Sequence, residues 1–305
     1  MRPRDSAEQR VARRGAPERA GHSRRVPLVI VGLSVALAML TGAAALAAAR
    51  STTRSVTAAG GGTSATVSYR ASSGSSTGPP YSDLHLTITR DGSTAYDAAV
   101  RSPFCGTACW PDVWPGHGFL TVADADGTGS PDVILDLYSG GAHCCSIVQI
   151  YRFDAQGGTY TIIQRDFGDP GASLERLAGS YVFVSADDRF AYTFAAFAFS
   201  GLPLAIWRLD TGGFTDVTRR FPALIAADAA RQYHAYTANR AQGFGLGFIA
   251  AWAADEDLLD HGALVGRTLA RANRDGGLRS ADGLPQGSAF IAALQRFLIK
   301  CGYVA

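Results

Sequence analysis

Three aspartates, two hydroxyl residues and two glycines share nine consecutive residues, DADGTGSPD, of this 305-residue sequence. Calcium prefers six to eight oxygen ligands from a loop that curls around the ion. Side chains at loop positions 1, 3, 5 and 9, with the backbone carbonyl at position 7, can supply such ligands. The glycines between them permit a left-handed backbone. The sequence therefore predicts a calcium site formed by the side chains of Asp124, Asp126, Thr128 and Asp132 and the carbonyl of Ser130.

An acidic, glycine-rich turn between two strands is the simpler alternative for the same residues. Thr128 offers a neutral hydroxyl where a carboxylate would bind more strongly, so we expect weak affinity, with a Kd of about 10⁻⁴–10⁻³ M, as in extracellular modules. The loop is followed by the apolar run Val133-Ile134-Leu135 and not by the glutamate and second helix of an EF-hand.

Four of the five cysteines form two close pairs, Cys105 with Cys109 and Cys144 with Cys145. In an oxidising compartment they predict two disulfides. If Cys144 and Cys145 lie in a strand, their side chains point to opposite faces. We therefore expect each of them to bond to a cysteine of the other pair, with the connectivity left open. Cys301 is left over and is interpreted as a small buried apolar residue.

Zinc binding is an alternative for the same cysteines, with His143 as a further ligand. Their spacing is not that of a familiar zinc finger, so we do not expect Zn²⁺. A catalytic cysteine–histidine pair is a further alternative. Disulfides are the interpretation that we favour.

The stretch from Leu120 to Phe153 resembles the FG-GAP/VCBS type of repeat, as found in integrin-α-like propellers. The resemblance rests on the D-x-D-G-x-G-x-P-D loop between two strands. It implies a β-propeller blade with calcium in the loop and Asp124, Asp126, Thr128, Ser130 and Asp132 as ligands. The following SGGAHCC, residues 139–145, is similar to a motif of uncharacterised exported bacterial proteins.

Short runs with alternating apolar residues surround the loop and predict antiparallel strands. Part of this pattern returns further along the chain: Ile150–Asp154 and Gly157-Gly158 correspond to Ile206–Asp210 and Gly212-Gly213. We interpret the two copies as blade-like repeats. The second copy has only Asp187-Asp188 without glycines at the loop, so a second calcium site is not expected. A closed propeller needs at least four blades, and residues 64–221 have room for two or three.

Beyond Pro222 the sequence is rich in alanine and leucine at helical spacing. In the last segment Phe290, Ala293, Leu294 and Phe297 form one apolar stripe, and Gly302 follows as a helix stop. The predicted fold class is therefore α+β: propeller-blade-like antiparallel sheets in residues 64–221, then a helical region in residues 222–305. The acidic residues of one predicted helix, Asp255, Glu256, Asp257 and Asp260, are interpreted as a solvated face.

The N-terminal part predicts export. Residues 1–25 are basic and are interpreted as a cytoplasmic tail, and residues 26–49 carry no charge and are long enough to cross a membrane. The preceding arginines place the tail inside by the positive-inside rule. A retained anchor and a cleaved signal peptide both remain open. Residues 50–63 are interpreted as a linker to an outer domain.

The net charge of +2 conceals an uneven distribution, because residues 1–50 hold nine arginines against three acidic residues. The outer part is therefore net acidic, which argues against nucleic acid binding. No common catalytic motif occurs. We expect a non-enzymatic, membrane-anchored or secreted module, stabilised by calcium and disulfides, that binds an envelope protein or glycan. The alternative is an extracytoplasmic hydrolase that acts on cell-envelope polymers; its two acids would converge in a pocket away from the calcium loop.

Overall fold

A computed structural model describes residues 50–73, 80–106, 108–113, 118–141 and 143–304. The predicted cytoplasmic tail and the predicted membrane segment lie outside these residues. Within them, none of the helices combines the length and the apolar character that a membrane crossing requires.

Thirteen strands form three antiparallel sheets in the described residues, and each sheet follows chain order almost throughout. The first sheet contains β1 (Arg50–Gly60), β2 (Thr63–Ser73), β3 (Tyr81–Arg90) and β4 (Ser93–Ala99). The middle sheet contains β5 (Trp110–Pro111), β6 (Leu120–Ala123), β7 (Asp132–Tyr138), β8 (Ser146–Asp154) and β9 (Thr159–Asp166). The third sheet contains β10 (Ala172–Leu177), β11 (Ser180–Ala186), β12 (Leu204–Asp210) and β13 (Gly213–Asp216).

The middle sheet is buried on both faces, which explains why β7 and β8 are almost uninterrupted apolar runs. Successive side chains of a strand point to opposite faces. Val133 and Leu135 accordingly pack with residues of the first sheet, whereas Ile134 and Ile150 pack with residues of the third. The strands that flank the predicted calcium loop are therefore held from both sides.

The first sheet buries one face and leaves the other polar. Val67, Leu86 and Ile88 are fully buried, while the opposite face carries hydroxyl and charged groups such as the pair Thr57 and Thr66, whose oxygens lie 2.8 Å apart. Residues 50–63 were predicted as a linker, and this prediction was wrong for β1. The serine- and threonine-rich composition concealed a period-2 pattern in which Val56 and Ala58 pack onto the core.

Four helices follow the sheets: α1 (Pro222–Asn239), α2 (Leu246–Leu258), α3 (Gly262–Arg274) and α4 (Gly287–Cys301). Phe290, Leu294 and Leu298 of α4 enter a core that also takes Phe190 and Phe194 from the connection between β11 and β12. Gly302 ends α4 with a φ of 80°. Phe221, immediately before α1, packs with a small core cluster that contains Val182 and Ile206 of the third sheet.

The predicted α+β class, with antiparallel sheets before a helical segment, is confirmed. No closed propeller forms within the described residues. The β8–β9 and β12–β13 hairpins occupy matching places at the ends of the middle and third sheets, where the sequence showed its two copies.

Candidate functional site

The predicted calcium loop connects β6 to β7 and begins and ends beside the register pair Ala123–Asp132. Gly127 and Gly129 have φ values of 76° and 87°, so the expected left-handed backbone is confirmed. A β-carbon at either position would meet no atom within 4 Å, and the two glycines therefore serve conformation and not close packing.

Each of the three carboxylates accepts a hydrogen bond from the backbone of the loop. Gly129 N–H donates to Asp124 Oδ2 at 3.0 Å, Thr128 N–H to Asp126 Oδ1 at 3.1 Å, and Ala125 N–H to Asp132 Oδ2 at 3.2 Å. These bonds fold the loop upon itself.

Two carboxylate oxygens in this loop are enclosed and have no hydrogen-bond partner: Asp124 Oδ1 and Asp126 Oδ2. Arg152 of β8 supplies the nearest positive charge, with its Nε 2.8 Å from Asp126 Oδ2. This is an ion-pair contact only, because neither atom has a hydrogen-bond partner. The terminal nitrogens of Arg152 instead donate to backbone carbonyls of Asp210 and Thr211 in the β12–β13 turn, at 2.7 and 3.4 Å.

Asp132 is 1% exposed, and burial, followed by the nearby Asp126 carboxylate, raises its pKa to about 7. Arg152 acts in the opposite direction. One guanidinium therefore acts on two carboxylates, Asp126 and Asp132, of a loop that carries a third at Asp124, and the loop holds more negative charge than this arginine neutralises. Unpaired charge in a low-dielectric site favours either protonation or a bound cation.

The donor types in this loop fit calcium, a hard cation that takes carboxylate, hydroxyl and carbonyl oxygens. Their placement does not yet form a coordination sphere: in the described residues, no three carboxylate, imidazole or thiol groups converge as metal ligands. The fit therefore rests on the two enclosed oxygens without hydrogen-bond partners and on the donor set.

Neighbouring strands position the loop through contacts that the sequence analysis missed. Arg90 at the end of β3 donates to the Ser130 hydroxyl at 3.2 Å and lies over the Phe153 ring. Gly61, at the β1–β2 turn, approaches Pro131 so closely that a β-carbon would lie 2.6 Å from the proline ring. Non-local contacts of this kind leave no local signal in the sequence.

The disulfides are present, but the expected links between the two cysteine pairs were wrong. Cys105 bonds to Cys109, with their α-carbons 5.1 Å apart, and Cys144 bonds to Cys145. The expectation assumed that Cys144 and Cys145 lie in a strand, whereas β8 begins only at Ser146. The opposite-face argument therefore does not apply. Cys301 is free and half-buried near the end of α4.

A second group of acids lines a cavity of about 460 Å³ beside β7. Burial, followed by the Asp112 carboxylate, raises the pKa of Asp136 to about 8. Ser146 donates to Asp112 Oδ2 at 2.6 Å, and Asp169 lies on the same wall. We call this cavity, which Asp112, Asp136 and Asp169 line, the acid cavity. Asp112 and Asp136 lie far apart in the sequence, and the β5–β7 pairing brings them together.

The acids of α2 do not form the solvated face that the sequence indicated. Asp255 is fully buried and Asp257 is 8% exposed. Asp255 Oδ1 accepts a hydrogen bond from the backbone N–H of Leu204 at 3.2 Å. Asp255 thus joins the helical region to the start of β12.

Comparison with known proteins gives two distant relatives. The chain is 30% identical over 148 residues to a "probable thylakoid lumen protein" of Synechocystis sp., a match that covers 40% of this chain and 43% of the relative. It is 34% identical over 89 residues to an uncharacterized protein of Sinorhizobium fredii, covering 28% of this chain and 14% of that protein. The chain thus spans less than half the length of these relatives. No protein-family model and no solved structure matches the chain.

Proposed function

We propose that the protein is an extracytoplasmic, non-enzymatic binding or structural module, with sheets stabilised by calcium in the loop of residues 124–132 and by disulfides. The observation that carries the calcium proposal is the pair of enclosed oxygens, Asp124 Oδ1 and Asp126 Oδ2, which have no hydrogen-bond partner and of which only the second has an ion-pair contact. A cation held by these acids, the Thr128 hydroxyl and the Ser130 carbonyl would neutralise the excess charge. Its contribution would be to stability, through binding to the folded state alone.

The location outside the cytoplasm has two independent supports. The cyanobacterial relative is described as a thylakoid lumen protein. Disulfides such as Cys105–Cys109 persist in oxidising compartments. Residues 26–49 would serve as a membrane anchor or a cleaved signal, and the partner would be an envelope protein or glycan. The FG-GAP/VCBS resemblance belongs to this proposal as an interpretation of the loop.

Calcium is expected to raise the melting temperature of the full-length protein, and Asp126→Asn should abolish the increase. With a Kd of about 10⁻⁴–10⁻³ M, 10 mM calcium would stabilise the fold by about 1.4–2.7 kcal/mol, because only the folded state binds. For a domain of this size that corresponds to about 3–10 °C in scanning calorimetry.

Asp154→Asn is the matched control for this experiment. Asp154 also caps a tight turn, accepting from Gln156 N–H at 2.9 Å, but it is exposed and lies outside the loop. The control should keep the calcium response of the wild type. An identical melting temperature with chelator and with calcium in the wild-type protein would exclude the calcium proposal.

A hydrolase is the second candidate function, and the acid cavity favours it. With a pKa of about 8, Asp136 is protonated at neutral pH and would act as general acid, while Asp112 beside it would act as base. A pair of carboxyl groups, one acting as acid and the other as base, is the usual apparatus for cleaving glycosidic bonds. The candidate substrates are cell-envelope polymers.

The hydrolase candidate predicts that the full-length protein releases soluble fragments from dye-labelled cell walls. Asp136→Asn should lower this rate by about 10²-fold or more, because a general acid contributes about 10²–10⁴-fold. Asp154→Asn, at an exposed residue outside both the loop and the acid cavity, is the control and should retain activity. A wild-type protein that releases no more dye than Asp136→Asn contradicts the hydrolase function.

A further inference from the structure

A cavity of about 650 Å³ lies where β9, the third sheet and the end of α4 meet. Its volume is within the range of small-molecule sites. Both acidic and basic side chains line it, together with Trp207 and Tyr303. It is separate from the calcium loop, and none of its lining residues belongs to the acid cavity.

Arg165 of β9 lines this cavity, and its guanidinium forms no close ion pair in the described residues. Its Nε is enclosed and has no hydrogen-bond partner, and its pKa is lowered, first of all by burial. The guanidinium carbon lies 3.3 Å from the centre of the Trp207 ring. Stacking fixes the plane of the group and leaves its edge for hydrogen bonds. A fixed guanidinium edge matches the two oxygens of a carboxylate.

The second arginine of the cavity, Arg189, forms an ion pair with an acid of the protein itself. Arg189 donates to both carboxylate oxygens of Asp187, and Tyr303 donates its hydroxyl to Asp187 at 2.8 Å. This pair is complete within the protein. Arg165 forms no close ion pair of this kind among the described residues, although the carboxylates of Asp216, Asp187 and Asp166 act on it from further away.

Asp188 supplies the opposite unsatisfied group. Its Oδ1 is enclosed without a hydrogen-bond partner, and burial, with Asp169, Asp166 and Asp187 nearby, raises its pKa. A positively charged donor from a ligand would relieve this accumulation of negative charge. No ion pair joins Asp188 to Arg165 in the described residues, so a ligand could engage both.

We propose that this cavity binds a small zwitterion, an amino acid or short peptide, whose carboxylate pairs with Arg165 and whose ammonium group pairs with Asp188. The volume leaves room for a side chain or a second residue. This inference rests on the proposed binding role and names the ligand class and the site. It does not require calcium, because the cavity and the loop share no residue.

The test is calorimetric titration of the full-length protein with the twenty common L-amino acids and with dialanine and trialanine. We expect at least one of these probes to bind. Its N-acetyl derivative and its methyl ester should each bind at least tenfold more weakly, because each lacks one of the two charges. Arg165→Gln and Asp188→Asn should each weaken binding at least tenfold, with folding checked by circular dichroism.

Arg208→Gln is the matched control, since Arg208 is an exposed arginine adjacent to Trp207 on β12, and it should bind as the wild type does. The wild-type protein should bind the same probe equally with calcium and with chelator, so a failure of the calcium proposal remains distinguishable. The inference is overturned if no probe binds at 10 mM, if Arg165→Gln binds normally, or if acetate and the methyl ester bind as tightly as the zwitterion.

Discussion

Replacing Arg152 by methionine is expected to lower the free energy of unfolding by about 3 kcal/mol in calcium-free buffer. Removing one partner of a buried ion pair costs about 3–5 kcal/mol, because it leaves an uncompensated charge. Asp126 is that charge, with a side chain only 2% exposed. The variant also loses the bond from Arg152 to the Asp210 carbonyl, which links the middle and third sheets. Urea denaturation with chelator present measures the loss.

Calcium should recover part of this loss, and more in Arg152→Met than in the wild type. In the variant the ion no longer competes with a guanidinium 2.8 Å from Asp126 Oδ2. We therefore expect tighter calcium binding and a larger calcium-dependent rise in melting temperature. If Arg152 alone compensates the negative charge of the loop and no calcium binds, the free energy of unfolding of Arg152→Met will fall by the same amount with calcium and with chelator.

The sequence itself offers the control. Arg208 occupies the position in β12 that Arg152 occupies in β8 in the repeat, but it is more exposed and its nearest carboxylate oxygen, on Asp210, is 4.0 Å away. Arg208→Met should change stability by less than about 1 kcal/mol, as for exposed pairs, and should keep the wild-type calcium response. A similar loss in both variants would assign the effect to the alkyl stem and not to the charge.

Local patterns account for the parts of the fold that the sequence predicted well. The alternation in β2 and β3 and the helical stripe of Phe290 and Leu294 reflect burial on one face, which appears in the residues themselves. The first strand was missed because small polar residues can form either a linker or a pleated surface. Its pairing with β2 decides between the two.

The candidate site was predictable only within one loop. The spacing of Asp124, Asp126 and Asp132 is a local motif, so its residues could be selected from the sequence. Arg152 lies on β8, and nothing in its local sequence indicates its contact with Asp126. The same holds for Asp112 and Asp136, which meet only through strand pairing. Sequence patterns therefore could not predict the charge partners that tertiary contacts supply.

Asp255 is the clearest example of a residue whose environment reverses its sequence interpretation. It lies among charged residues that are typical of a solvated helix face, yet it is fully buried. Burial, followed by the nearby Asp228 carboxylate, raises its pKa to about 10. Its Oδ1 accepts from Leu204, while its Oδ2 has no hydrogen-bond partner. The group is therefore a neutral acid in the folded protein at neutral pH.

This neutral acid predicts a pH-dependent stability difference between the wild type and Asp255→Asn. In the unfolded chain an aspartate has a pKa of about 3.9, so between that value and about 10 the folded protein holds a proton that the unfolded chain has released. The wild type therefore loses stability as pH rises through this window, by up to about 1.4 kcal/mol per pH unit from this group. Asparagine keeps the acceptor for the Leu204 N–H and does not titrate. The stability of the variant relative to the wild type should therefore increase as pH rises.

Urea denaturation of both proteins at pH 5, 6, 7 and 8 measures this difference, and Asp257→Asn is the matched control. Burial raises the pKa of Asp257 only to about 6, so the gain of that variant over the wild type should stop growing above pH 6. The gain of Asp255→Asn should continue to grow to pH 8. A difference that stays constant from pH 5 to 8 would mean that Asp255 is ionised in the folded protein and that nearby cations such as Arg231 compensate its charge.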